Sequence, residues 1–283
     1  MDLKALKDTP PWDWPSGTRK LLLGIVRDDR ATESDRLLAT EFAGDFTIIS
    51  DDVAEALLSI LHRSDLPDAL RAQAAISLGP VLDHTDTEGF DEDAQTILIS
   101  EPLFHTIQAS LQALYSRADV PTDVRRRILE ASVRAPQDWH AEAIREAYAS
   151  RDESWRLTAV FCMSYVPGFD EQIVESLDSA NRDARYEAVL AAGTWEVDAA
   201  WRHVESIITS ERKDKAMLLA AIDAVASIRP HEAAEILLDL SQSGDDDIVE
   251  AVDEALAMAA GLSDVDYDED EDEDDEEKEE VIH

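Results

Sequence analysis

Asp183-Ala184-Arg185-Tyr186-Glu187-Ala188-Val189-Leu190-Ala191-Ala192-Gly193 is the stretch from which the rest of the chain can be read. An acid stands two residues before an arginine. Alanines follow the arginine at three and seven residues, and a small residue follows at eight. Spacings of three, four and seven place side chains on one face of an α-helix, so the small apolar positions form a buried stripe. The same frame recurs along the sequence. The arginine slot falls on Arg36, Arg71, Arg125, Arg156, Arg185, Met217 and Val249, with steps of 29 to 35 residues and one of 54. Three residues on, the slot holds Ala39, Ala74, Ile128, Ala159, Ala188, Ala220 and Val252. Eight residues on, it holds Gly44, Gly79, Val133, Ser164, Gly193, Val225 and Ala257. The small residues of this last column are expected where the helix ends and turns.

A second helix precedes each of these. The apolar pattern predicts first helices over 18–27, 53–62, 103–115, 140–148, 171–177, 199–209 and 233–240. Polar or proline-bearing turns join the two helices of each pair, as in Ser64-Asp65-Leu66-Pro67-Asp68 and Ala180-Asn181-Arg182-Asp183. Their aspartates and serines are suited to capping the N-terminus of the second helix. A helix pair repeated about every 31 residues cannot bury its apolar stripe alone, so neighbours must cover it. The expected fold is an all-α solenoid of about seven antiparallel helix pairs.

The acid-x-Arg-x-x-Ala-x-x-x-small-small pattern resembles HEAT-like repeats, particularly the short form named after phycobilisome lyases. The likeness runs over about residues 15–260. It is clearest at Asp183–Gly193, Asp35–Gly44 and Leu70–Gly79, and weakest where Met217 and Val249 replace the arginine. The resemblance implies a right-handed superhelix whose second helices line the concave side. It implies little about activity, because such repeats serve many partners.

Three regions are expected: a Pro/Trp capping segment over 1–15, the repeats over 16–262 with an insertion at about 83–100, and a disordered acidic tail over 263–283. Trp12 and Trp14, in the stiff segment Pro10-Pro11-Trp12-Asp13-Trp14-Pro15, are expected to fold over the first repeat. The tail has fourteen acids against one lysine and almost no apolar residues, so it cannot fold alone. It accounts for about −13 of the net charge of −39, which leaves about −26 on the rest of the chain. An acidic surface repels phosphates and anionic headgroups over about 8 Å at physiological salt. Nucleic-acid and membrane binding are therefore not expected, and a protein or peptide partner of basic character is.

No local motif points to catalysis. The aspartates and glutamates of 83–93 do not follow the order of a calcium loop. His231-Glu232 is similar to the His-Glu pairs of deoxyhypusine hydroxylase, a HEAT-like di-iron enzyme. That resemblance would require several pairs at equivalent repeat positions, and one is present. His140, His203 and His231 open first helices without the matching glutamates. Cys162, the single cysteine, lies in an apolar run and is expected to be inert. A lone cysteine and the absence of a signal-like start at Met1-Asp2-Leu3-Lys4-Ala5 fit a reducing, cytoplasmic setting. The chain is expected to be an interaction scaffold and not an enzyme, with neither cofactor nor metal. Alternative roles implied by the resemblance are a chromophore-lyase subunit or a nucleic-acid-related repeat protein.

The arginine column is expected to be a structural ladder. Arg126, Arg127 and Arg134, together with Arg182, are the candidate contacts for an acidic ligand or the chain's own tail. Trp155 and Tyr186 are the candidate aromatic anchors for a partner.

Overall fold

Each repeat has the same local cause. A polar residue ends a turn, an apolar stripe of period 3.6 follows, and a small residue allows the next helix to close in. In the computed structural model, which describes residues 3–90, 97–210 and 214–261, the described residues contain helices and no strands. The helices are α1 (Leu3–Lys7), α2 (Thr18–Arg27), α3 (Glu33–Ala43), α4 (Asp51–His62), α5 (Asp68–Ser77), α6 (Gly79–Glu88), α7 (Glu101–Tyr115), α8 (Thr122–Ser132), α9 (His140–Tyr148), α10 (Glu153–Met163), α11 (Asp170–Leu177), α12 (Arg182–Thr194), α13 (Trp201–Thr209), α14 (Lys215–Ile228), α15 (Pro230–Leu237) and α16 (246–261). In chain order, α2/α3, α4/α5, α7/α8, α9/α10, α11/α12, α13/α14 and α15/α16 are the seven expected pairs. Within each unit, second helices pack on second helices, α3 on α5 and α5 on α8 in one and α10 on α12 and α12 on α14 in the other, and α3, α5, α8, α12 and α14 pack on their own first helices, as in a HEAT-like α-solenoid.

The chain forms two units, 1–147 and 148–283. In the first, α5 lies between α3 and α8, and each packs on the first helix of its pair. Leu22, Ala39, Leu57, Leu61, Leu70, Ala74, Leu111, Ile128 and Leu129 are fully buried between them. In the second, α12 lies between α10 and α14 and over α11, burying Ala188, Val189, Ala191, Leu218 and Ile222.

The side-chain caps appear where the turn lacks proline. Thr32 accepts from the Asp35 amide (3.1 Å), Asp152 from Ser154 (2.8 Å) and Asn181 from Asp183 (2.9 Å). The turns before α5 and α8 differ from expectation. Pro67 and Pro121 occupy the cap position, and the fixed proline φ sets the helix entry in place of a side-chain bond.

The small column has a second cause beside the one expected. It falls at helix ends as expected, with Gly44, Val133 and Ser164 as C-caps, and its glycines also mark close contact between repeats. A Cβ on Gly44 would lie 2.6 Å from the Ser77 carbonyl oxygen, and one on Gly193 would lie 2.9 Å from Ala224 Cα. Gly79 would meet Arg134 Cδ at 3.0 Å. Each glycine therefore faces the second helix of the next pair, where no side chain fits.

The 54-residue step contains α6, which starts at Gly79, four residues earlier than the expected insertion. Pro80, in the first turn, suits a helix start. α6 packs on α8. Residues 91–96 of the insertion and the tail from 262 onward lie outside the described residues. At the N-terminal end, Leu3 and Leu6 are buried, and α1 packs on α3. Trp14 donates to the carbonyls of Leu6 (3.1 Å) and Thr9 (2.9 Å), and its ring lies 5.3 Å from Phe42. Trp12 stays 77% exposed.

Candidate interaction surface

The arginine slot points into the structure. Arg36 donates to the Val26 carbonyl (3.2 Å), Arg71 to Leu61 (3.2 Å) and Arg125 to Tyr115 (2.8 Å). In each case the acceptor lies ten residues back, in the last turn of the first helix of the same pair. Carbonyls there have no partner within the helix and carry the negative end of its dipole, so a guanidinium satisfies both needs. Arg185 donates to the Ser179 carbonyl, just beyond α11, and Arg156 lies over the Tyr148 ring at 5.3 Å. Arg36, Arg71, Arg125 and Arg185 are braces within their pairs, while Arg156 is exposed.

The outward face of the second helices lies on the opposite side. Relative to the arginine slot, positions +1, +5 and +9 lie close together on that face. At α8 they are Arg126, Glu130 and, in the turn just beyond the helix, Arg134. At α10 they are Leu157, Phe161 and, in the turn just beyond the helix, Tyr165, and on α12 they are Tyr186, Leu190 and Thr194. All are half-buried except Thr194, which is exposed. The α8 and α10–α12 faces belong to different units. The first is charged and the second is largely apolar. The Phe161 and Tyr165 rings are in tilted contact, with centroids 5.4 Å apart.

Each expected site residue can now be placed. Arg126 and Arg134 are on the α8 face, with Arg127 beside them. Glu130 pairs with both Arg127 (2.6 Å) and Arg126 (3.6 Å), and Asp83 on α6 pairs with Arg134 (3.2 Å). The basic cluster is thus interleaved with carboxylates. Arg182 lies in the other unit, at the start of α12, where its guanidinium is held by both oxygens of Asp214, the N-cap of α14 (2.8 Å for the Nη2 bond). That contact holds the Asp214 carboxyl below the usual range. Tyr186 is on the apolar face of α12. Trp155 is half-buried one position before the arginine slot, on the flank of α10 away from this face.

The Arg182–Asp214 contact belongs to a set. Lys215 pairs with Asp245 (2.8 Å), Arg229 with Asp198 (2.7 Å) and Arg63 with Asp29 (2.6 Å). Each pair joins residues about one repeat apart, so part of the acid excess serves to link successive turns.

The histidines have local roles. His140 is fully buried in the first unit. The Gln137 amide donates to its Nδ1 (2.8 Å), and its Nε2 lies 3.0 Å from the Ser132 hydroxyl. Burial pushes its pKa down to about 4, so the ring is neutral at pH 7. His203 faces Asp178 at 3.4 Å, and His231 is exposed at the start of α15. Cys162 is fully buried. Among the described residues no cluster of His, Cys, Asp and Glu is disposed to hold a metal ion, and no helix is long and apolar enough to cross a membrane.

A cleft of about 590 Å³ went unrecognised in the sequence. It lies among α11, α12, α13 and the start of α14. Arg182, Arg185, Arg202 and His203 line it, over a floor that includes Val189, Ile207 and Met217. The signal that could have found it is a comparison of successive first helices, where Arg202-His203 replaces the Glu171-Gln172 of the preceding pair.

No protein-family model matches the sequence, and neither does any curated protein sequence. Among solved structures, the chain is similar to YibA of Escherichia coli, at 14% identity and a TM-score of 0.47, over 87% of this chain and 84% of that one. It is also similar to human deoxyhypusine hydroxylase in complex with glycerol, at 15% identity and a TM-score of 0.39, over 92% and 96% of the two chains. The HEAT-like helical repeat architecture rests on the helix pairing described above. The expectation that the chain is not an enzyme is corrected by the second likeness. That neighbour is an enzyme by name, and a fold in general does not fix function.

Proposed function

We propose that the chain is an interaction scaffold of short HEAT-like repeats that seats a protein or peptide on the outward face of its second helices. One observation carries this reading. In the second unit, Leu157, Phe161, Tyr165, Tyr186 and Leu190 form an aromatic and aliphatic surface on the packed helices α10 and α12, left half-buried by the fold. Rigid aromatic side chains on packed helices are the usual anchors of a binding interface. The partner is of basic character, because about −26 of net charge lies outside the tail. Arg126, Arg127 and Arg134 supply a separate polar contact area, from which a ligand carboxylate would displace Glu130 or Asp83. Arg182 lies at the start of α12, and Trp155 lies on the other flank of α10, as a separate aromatic contact. In this reading residues 1–15 cap the repeats, 16–262 bind, 263–283 form an acidic appendage, and the protein works in the cytoplasm, where Cys162 stays reduced.

The test is selection from a random peptide library on the immobilised full chain. Enriched sequences should combine Lys or Arg with a large apolar residue. Phe161→Ser/Tyr186→Ser should weaken the selected peptide at least tenfold while leaving the helical circular dichroism signal unchanged. Equal binding by this variant, or a selected set rich in acids, refutes the reading.

A further inference from the structure

The repeats provide an internal control for the cleft among α11, α12, α13 and α14. One pair earlier, the equivalent cleft between α10 and α11, with the start of α12, has a volume of about 400 Å³. The same fold builds both. Arg156 and Val160 in the first correspond to Arg185 and Val189 in the second. The remaining charges differ. Glu153, Glu175 and Asp178 line the first, against the single guanidinium of Arg156. At the positions of Glu153 and Glu175 the second has Arg182 and Ser206, while Asp178 lines both clefts and Asp214 lines the second as well, which leaves three guanidinium groups against two carboxylates there. Arg202 and His203 also line it, at the positions held by Glu171 and Gln172 one pair earlier. Packing therefore does not require these cations. Residues 148–261 contain nine Lys and Arg against 23 Asp and Glu, and three of the nine line this one cleft.

The cations are differently engaged. Arg182 is held by Asp214, and Arg185 keeps donor capacity beyond its bond to Ser179. Arg202 is exposed and forms no ion pair with a described residue. His203 turns Nε2 toward Asp178, and its buried Nδ1 has no hydrogen-bond partner among the described residues. Leu177, Val189, Ile207 and Met217 supply an apolar floor. Such a site suits a carboxylate-rich peptide with an aliphatic residue.

The chain itself carries one. We infer that this cleft seats the C-terminal segment of the same molecule, ending Glu279-Glu280-Val281-Ile282-His283. The carboxylates meet Arg185, Arg202 and His203, and Val281-Ile282 covers the apolar floor. This does not rest on the α10–α12 surface proposed above for a partner. The tether permits it. α16 ends at residue 261 in the same unit, and the 22 residues beyond it reach roughly 75 Å when extended. A random coil of 22 residues spans about 25 Å, and a tether of that length corresponds to a millimolar effective concentration at sites within reach. The rest of the surface is acidic and repels the segment, so this basic cleft is a preferred landing place in its unit.

The experiment uses the full chain with His283→Cys carrying a nitroxide. Cys162 is fully buried, so the label goes to position 283. Methyl resonances of Val189, Ile207 and Met217 should lose more than half their intensity relative to the reduced label. They should recover in 1 M salt, where screening falls to about 3 Å. Arg202→Glu/His203→Gln installs the charge pattern of the preceding pair and should restore intensity at low salt. Three results overturn the inference: full intensity at the cleft methyls, equal broadening after the double substitution in a chain of unchanged helicity, or stronger broadening at Leu23 beside Arg19 and Lys20.

Discussion

Gly193→Ala and Gly24→Ala are the same chemical change within a helix, and the structure assigns them opposite signs. Gly24 is an exposed residue of α2, and a Cβ there would meet nothing within 4 Å. Alanine should therefore return only the helix-propensity gain, up to about 1 kcal/mol. At Gly193 the added Cβ would lie 2.9 Å from Ala224 Cα and 3.0 Å from Ala224 Cβ. Carbon atoms are comfortable at about 3.5 Å or more, so α12 and α14 must separate by roughly half an ångström. Overpacking of this kind costs about 1–3 kcal/mol, which outweighs the same propensity gain. The expected net loss is about 1 kcal/mol, or a fall of about 2–4 °C in the unfolding midpoint of the second unit. Thermal denaturation followed by the fluorescence of Trp195 and Trp201 reads this directly. Adding Ala224→Gly removes the methyl group from the clash but leaves the backbone of α14 in place. It should therefore couple favourably with Gly193→Ala and recover the loss only in part. If Gly193→Ala stabilises as much as Gly24→Ala does, the small column does not mark close backbone approach and the packing argument fails.

Two further outcomes follow from buried groups. His140 has an ordinary pKa near 6.5 when unfolded and about 4 in the folded chain, so the unfolded state binds its proton first. Its contribution is complete above pH 6.5 and falls by about 3 kcal/mol as pH drops through 4. His140→Gln should flatten that limb in urea titrations between pH 7 and 4, and an unchanged limb would show that another group controls it. At the other end, Trp14→Ala should cost about 3 kcal/mol, since it removes two hydrogen bonds and the Phe42 contact. Trp12→Ala should stay within about 0.5 kcal/mol because that ring is exposed. Comparable losses at the two positions would contradict this placement.

What the sequence disclosed, and what it withheld, follows from the range of each interaction. Helix faces depend on neighbours three and four residues away, so α2 and α9 match their expected bounds and the arginine slot is visible as a column. The bonds of that column also repeat at a fixed offset of ten, which makes Arg36, Arg71 and Arg125 recognisable braces once one of them is seen. The Glu130 pairing with Arg126 and Arg127 was within local reach at three and four residues, and it changes a bare basic cluster into a neutralised one. Arg134 meeting Asp83 was not, because the 51 residues that separate them include a helix that interrupts the period. The glycine column was visible and read as helix ends, but its close approach to the next repeat was not. A small residue near a helix end fits both a turn and a close neighbour, and only the position of Ala224 against Gly193 discloses the second. The cleft lined by Arg182, Arg185, Arg202 and His203 was hidden for a different reason. Its residues come from two second helices and two first helices, and no single repeat contains the pattern. Aligning successive repeats by their buried positions, Ile173 with Val204 and Leu177 with Ile208, places Arg202 against Glu171. A charge reversal between positions that share a structural role is then the signal of function. In a solenoid, departure from the repeat at an exposed position carries more functional information than the repeat itself, because packing fixes the buried columns and leaves the exposed ones free.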